Sequence, residues 1–215
     1  MIELNSLRAL TFGVSWLVLS SIGCSGPDRD AAPGNESPSS KEEVTAVANT
    51  QTAIIAGGCF WGMEELLRKI DGVLDTDVVY CGGENADPTY EHHPGHAEAV
   101  QIVFDPAKIS FENLLVNWFF RMHDPTTLNR QGNDRGSAYR STIFYTDDAQ
   151  KAVAERAIQT VDAAKRWPGP IVTTVEAVKN LALAEGYHQD YLVKNPGGYT
   201  CHWLRDWETI PVPAP

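Results

Sequence analysis

From residue 52 onward the apolar positions switch between two spacings. Residues 52–56, Thr-Ala-Ile-Ile-Ala, form a short β-leaning run, and Met63, Leu66, Leu67 and Ile70 then recur at helical intervals. Residues 73–80 read as a strand, and residues 97–104 alternate well enough for another, stopped by Asp105-Pro106. Ser110 is placed to cap a helix whose single apolar face carries Phe111, Leu114, Leu115, Trp118 and Phe119. Residues 123–136 form a long polar loop with no element of their own, and residues 138–145 are β-branched and aromatic enough for a strand. The order strand, helix, strand, strand, helix, strand predicts an α+β fold. It is the ferredoxin-like split βαβ two-layer sandwich, with the helices on one face of the sheet.

Further elements follow that unit. A third helix is expected over about residues 147–166, ended by Pro168-Gly169-Pro170, then a strand over 171–175 and a short helix near 187–194. Asn195-Pro196-Gly197-Gly198 is a turn, and the tail from Tyr199 is expected to be mobile.

The first fifty residues have another character. Residues 1–23 read as a secretory signal, with Arg8 ahead of a short apolar stretch over residues 9–19. Ser21-Ile22-Gly23-Cys24 looks like a lipoprotein cleavage site, with Ser21 where Leu is usual, which makes Cys24 the candidate lipidated residue. Residues 24–51 are rich in Pro, Gly, Ser and acidic residues and are expected to be a flexible linker. Residues 52–215 are left as one domain, exported to the cell envelope on a lipid anchor and acting as a monomer. The net charge is −11, and removing Glu3 and Arg8 with the signal leaves it unchanged. An acidic chain without a basic patch argues against nucleic acid.

The chemistry concentrates in Gly57-Gly58-Cys59-Phe60-Trp61-Gly62, at the predicted strand-to-helix junction. Glycine allows a sharp turn and a close backbone approach, and unpaired N–H groups at a helix start face the sulfur. That terminus contributes roughly 0.3–1 kcal/mol, or ~2 when partly buried. It primes the thiol without ionising it fully. Cys59 is therefore the candidate nucleophile, against the alternative of a small buried hydrophobe. Phe60 and Trp61 are either core residues or the walls of a small apolar pocket beside it.

Several ungapped segments carry a resemblance. They are residues 57–64; Pro88-Thr89-Tyr90; Gly95-His96-Ala97-Glu98-Ala99-Val100; His123-Asp124-Pro125; residues 129–134; Tyr139-Arg140-Ser141; Tyr187-His188-Gln189-Asp190-Tyr191; and Asn195-Pro196-Gly197-Gly198-Tyr199. In this order they resemble the A-type peptide methionine sulfoxide reductases. The resemblance implies thiol-dependent reduction of methionine S-sulfoxide, free or in proteins, and so repair of oxidised proteins. It assigns attack on the sulfoxide sulfur to Cys59 and the substrate methyl group to Phe60 and Trp61. It sets Tyr90, Glu98 and Tyr139 around the sulfoxide oxygen, with Asp134 in support. A carboxylic acid still protonated at neutral pH suits Glu98, since the departing oxygen needs a proton. Singly, Glu98 could be an outward strand residue, the tyrosines packing residues and Asp134 a turn residue.

Releasing methionine leaves a sulfenic acid, which condenses with a second thiol. Cys201 on the tail is the resolving candidate, displaced by Thr200 from the commoner Tyr-Cys form, and Cys81 is either an alternative or a buried loop thiol. No bound cofactor is expected, only an external thioredoxin-like reductant. No metal is expected either, because His92, His93 and His96 come without a Cys-rich ligand pattern. Glu91-His92-His93-Pro94 makes a shorter loop than many relatives have. Two readings compete: another thiol enzyme, such as a peroxidase or cysteine hydrolase, and a module that binds oxidised methionine without turnover. A hydrolase would want a His base with an Asn or Asp orienter, and comparing sulfoxide, peroxide and ester substrates separates all three.

Overall fold

A computed structural model describes residues 49–214; the expected signal segment, Cys24 and nearly all of the expected linker lie outside the described residues. Strand β1 (Gln51–Gly57) leads through α1 (Phe60–Leu67) to β2 (Val73–Cys81) and β3 (Ala97–Phe104). Helix α2 covers residues 111–122: its middle, Leu114–Phe119, is a π-helical turn between α-helical ends Phe111–Asn113 and Phe120–Met122. A small hairpin, β4 (Arg130–Gln131) and β5 (Asp134–Arg135), precedes β6 (Ser141–Tyr145). Then come α3 (Asp148–Ala163), β7 (Thr174–Ala177), β8 (Ala182–Leu183) and α4 (Tyr191–Lys194).

The sheet order is β7-β6-β1-β3-β2-β8. Its central strands β6, β1, β3 and β2 are antiparallel neighbours, which is the split βαβ arrangement expected from the sequence. β7 adds in parallel beside β6 after the α3 crossover, and β8 pairs antiparallel with the opposite edge. Strand alternation sorts the side chains. Ala53, Ile55, Val78, Tyr80, Val100, Ile102 and Phe104 face the main core with residues of α1, α2 and α3. Ile54, Ala56, Val79, Cys81, Ala97 and Ala99 form a smaller cluster with Phe144 on the other face.

Local signals set the helix starts. The Ser110 hydroxyl accepts the Asn113 N–H at 3.2 Å and the Asp147 carboxylate accepts the Gln150 N–H at 2.8 Å. Elsewhere boundaries move. α3 stops at Ala163, short of residue 166, and Lys165 takes a left-handed φ of 50°. The strand expected over 171–175 forms at Thr174–Ala177, where it can pair with β6. The helix expected from residue 187 begins at Tyr191. The loop expected to carry no element contains the β4–β5 hairpin, because strands of two residues have no period to detect. Residues 137–139 form a 3₁₀ turn rather than strand.

The tail, expected to be mobile, carries no helix or strand from Tyr199 onward, and it makes contacts with the domain that the sequence did not announce. The Asn117 side chain, in the π turn, donates to the Ile210 carbonyl at 3.0 Å and accepts the Ile210 N–H at 2.8 Å. The Arg121 side chain donates to the Arg205 carbonyl at 2.7 and 3.0 Å, while the Arg121 carbonyl accepts the Arg205 N–H at 3.1 Å. The Arg205 guanidinium lies 4.3 Å over Trp167, and Ile210 and Val212 pack on the main core. The last carbonyls of a helix have no partner within it and are natural acceptors for such a segment, but a chain that pairs with them this way shows no periodicity.

Candidate active site

Cys59 is the N-cap residue of α1, one position before the helix proper. The turn into it needs Gly58, at φ +111°, where a Cβ would stand 2.5 Å from Gln131 Cγ. Cys59 is almost fully buried. Burial pushes its thiol well above the ordinary range, the Glu98 charge adds to this, and the Trp61 backbone N–H at the helix start opposes it. The helix terminus therefore acts in the expected direction and is outweighed: the resting site holds a thiol, not a thiolate.

Glu98 is fixed by register. On β3 it shares the helix face with Val100 and Ile102 and pairs with Tyr80, directly under the start of α1. Its Oε2 accepts the Phe60 N–H at 3.1 Å, and the residue is only 2 % exposed, so it is not an outward strand residue. Burial raises its pKa to about 8, opposed by the Phe60 N–H; Asp134's charge raises it further and the Tyr139 hydroxyl lowers it. At neutral pH it is mostly a neutral acid with a proton to give.

Cys59, Phe60, Trp61, Tyr90, Glu98, Asp134 and Tyr139 line one cavity of about 90 Å³. At ~30 Å³ per water, that is room for a side-chain tip rather than a peptide. Phe60 is buried against Tyr80, ring centroids 5.8 Å apart. Trp61 stacks on Tyr191 at 3.7 Å, and its indole N–H donates to His188 Nδ1 at 3.0 Å. Tyr90 stands half-exposed at the rim, on the short turn that its neighbours close: Thr89 and His92 exchange backbone hydrogen bonds at 3.1 and 2.9 Å. The shortened loop thus carries Tyr90 to the cavity. His93 stacks on Tyr80 and bonds the Thr89 carbonyl, and buried His96 bonds the Asn85 carbonyl at 2.9 Å, so both serve local structure.

The tail completes the site. Cys201 Sγ donates to Asp134 Oδ2 at 3.3 Å, and the Cys59 backbone N–H lies close enough to the same sulfur to favour its ionised form. The fold thus brings Cys201 beside Cys59. Cys81 is fully buried at the end of β2, in the cluster on the opposite sheet face, with its thiol 3.7 Å from the Lys179 carbonyl. Sequence reasoning gave no role to Tyr199, whose hydroxyl bonds both Asp134 oxygens at 3.0 Å and which lines the cavity. Nor did it single out His188, the partner of Trp61. Both sit in the C-terminal segments that carried the resemblance, which was the one signal pointing to them.

Comparison with known proteins agrees with this geometry. The family model for peptide methionine sulfoxide reductase matches residues 51–209. The peptide methionine sulfoxide reductase MsrA of Nocardia farcinica is 55% identical over 163 residues, 75% of this chain and 95% of that protein. The crystal structure of Mxr1 from Saccharomyces cerevisiae in reduced form superposes with a TM-score of 0.68 at 37% identity, covering 73% of this chain and 93% of that one. Mxr1 in complex with Trx2 gives 0.51 at 27% identity, covering 76% and 97%. A thiol at a helix start, a neutral buried acid and this extent of likeness lead to one conclusion: the chain belongs to the A-type peptide methionine sulfoxide reductases and is an oxidoreductase of that class.

Proposed function

We propose that this chain reduces the S epimer of methionine sulfoxide, free or in proteins, with Cys59 as nucleophile and Glu98 as proton donor. The observation that carries the reading is the meeting, in one small cavity, of the Cys59 thiol, the Phe60–Trp61 wall and a carboxyl whose pKa is raised to about 8. The substrate methyl group lies against Phe60 and Trp61, while its oxygen faces Glu98, Tyr90 and Tyr139. Cys59 attacks sulfur, the oxygen takes the Glu98 proton, the Cys59 thiol proton replaces it on Glu98, and methionine leaves Cys59 as a sulfenic acid. Cys201 then closes a disulfide with Cys59, with Asp134 supporting its thiol. A thioredoxin-like protein reduces that disulfide; the complex of the similar Mxr1 with Trx2 supports this choice. The leader composition and Cys24 favour export and a lipid anchor, so the reductant is a thioredoxin-like partner on the outer side of the membrane.

The test is incubation with dithiothreitol and each sulfoxide epimer, with peroxide and ester controls. Methionine produced from the S epimer alone is expected. Turnover of peroxide or ester without methionine would replace this reading with another thiol chemistry, and stoichiometric binding without turnover would leave a recognition module.

A further inference from the structure

We propose that His202 is the general base that deprotonates Cys201 for its attack on the Cys59 sulfenic acid; the proposal deepens the reading above and rests on it. His202 is 6 % exposed, and both ring nitrogens have defined partners. Nε2 lies 2.9 Å from the Gly57 carbonyl oxygen. A carbonyl only accepts, so the neutral ring carries its proton on Nε2 and its lone pair on Nδ1. Nδ1 lies 3.5 Å from Cys201 Sγ. A buried imidazole is thus held in the tautomer that can take the resolving thiol's proton.

The fold clears space for this arrangement at two glycines. A Cβ on Gly62 of α1 would collide with Thr200 Oγ1 and stand 2.7 Å from His202 Nδ1, and one on Gly132 would stand 2.9 Å from Cys201 Cβ. The His202 N–H donates to the Thr200 hydroxyl at 3.1 Å, tying the ring's backbone to the same turn.

A base is needed here. Burial and the hydrogen-bonded, charged Asp134 push the Cys201 thiol up to about 12, against the opposing Cys59 N–H. Only thiolate attacks. Asp134, which accepts the Cys201 thiol hydrogen bond at 3.3 Å, is the rival acceptor, but its charge opposes a neighbouring thiolate. His202 instead becomes an imidazolium beside that thiolate and carboxylate. Burial holds the imidazole near 4, with Asp134 favouring and Arg205 opposing its charge. Buried His123 is the other ionisable group that feels it. His202 is therefore neutral throughout the physiological range with its Nδ1 lone pair free; as a weak base in the resting site it takes the proton only as the S–S bond forms and the charge developing on Cys201 is consumed.

The step balances. His202 Nδ1 takes the Cys201 proton, the thiolate pair forms the S–S bond to Cys59 Sγ, and the S–O bond breaks. The departing hydroxide takes the imidazolium proton and leaves as water. Cys201 sulfur is oxidised, Cys59 sulfur is reduced from the sulfenic level, and no outside reagent enters.

His202→Gln tests it, since the amide can still donate to Gly57 but has no basic nitrogen. In a single turnover with methionine sulfoxide, the release of one methionine should keep its wild-type rate, which also shows that the variant is folded. Disulfide formation, followed by rapid alkylation and dimedone labelling, should slow by roughly 10²-fold or more. Its rate should rise about tenfold per pH unit across pH 6–9, as a step limited by thiolate does, where the wild type is flat. His202→Asn should behave alike. A disulfide rate within threefold of wild type, or a slower rate that stays flat with pH, overturns the proposal. Sulfenic acid generated with one equivalent of peroxide gives the same readout without sulfoxide, so failure of the reductase reading is seen separately.

Discussion

Replacing Glu98 by Gln should weaken the enzyme and strengthen the protein. Glu98 is nine-tenths or more buried, and its carboxyl is displaced from an ordinary 4.5 to about 8, chiefly by burial. In the unfolded chain it loses its proton near 4.5; in the fold it keeps it until about 8. Between those values the folded state binds more protons, so stability falls as pH rises through the window and levels off above it. At ~1.4 kcal/mol per tenfold change in proton affinity, the full window is worth about 5 kcal/mol, and at pH 7 roughly 3. A glutamine has no such penalty. With about 2–4 °C per kcal/mol for a domain of this size, the variant should melt roughly 6–12 °C above wild type at pH 7. The gap should widen by pH 8.5 and nearly close at pH 4.5. In single-turnover assays the same variant should release methionine roughly 10²–10⁴-fold more slowly, the usual weight of a general acid. Melting curves at these pH values and quenched-flow methionine release check both halves. A melting gap that is absent or independent of pH would mean that Glu98 is ionised in the fold, and the proton-donor role would go with it.

Cys59→Ser should abolish methionine release, and residual turnover within tenfold of wild type would remove Cys59 from the chemistry. Cys201→Ser should release one equivalent of methionine and accumulate dimedone-reactive Cys59, while Cys81→Ser should cycle normally; a Cys59–Cys81 link in peptide maps of oxidised protein would reverse those two assignments. Asn117→Ala removes both hydrogen bonds to Ile210, at about 1–3 kcal/mol for each group left unpaired. Limited proteolysis should then cut the tail faster and disulfide formation should slow, with methionine release unchanged; equal protease resistance would show that the tail does not depend on this clamp. Cys24→Ala should release the protein from membranes, and a variant that still pellets after a carbonate wash would point to a spanning anchor instead.

The sequence by itself determined what depends on neighbours in the chain. A short apolar, β-leaning run gave β1, a strand-like stretch gave β2 and alternation gave β3, the apolar stripe gave α2, and Ser110 and Asp147 marked helix starts through bonds spanning three residues. The Gly-Gly turn placed Cys59 at the junction for the same reason. Only the tertiary structure decided what depends on register and on contacts distant in sequence. Nothing local tells whether Glu98 faces solvent or core; its pairing with Tyr80 under the start of α1 does. The proximity of Cys201 to Cys59, the Tyr199–Asp134 clamp and the aim of His202 at the resolving sulfur all come from an irregular tail. That tail is held by the side chain of Asn117 and the carbonyl of Arg121. Such a segment gains its hydrogen bonds from another element rather than from itself, so it leaves no periodicity along the chain, and only the folded structure shows where it lies.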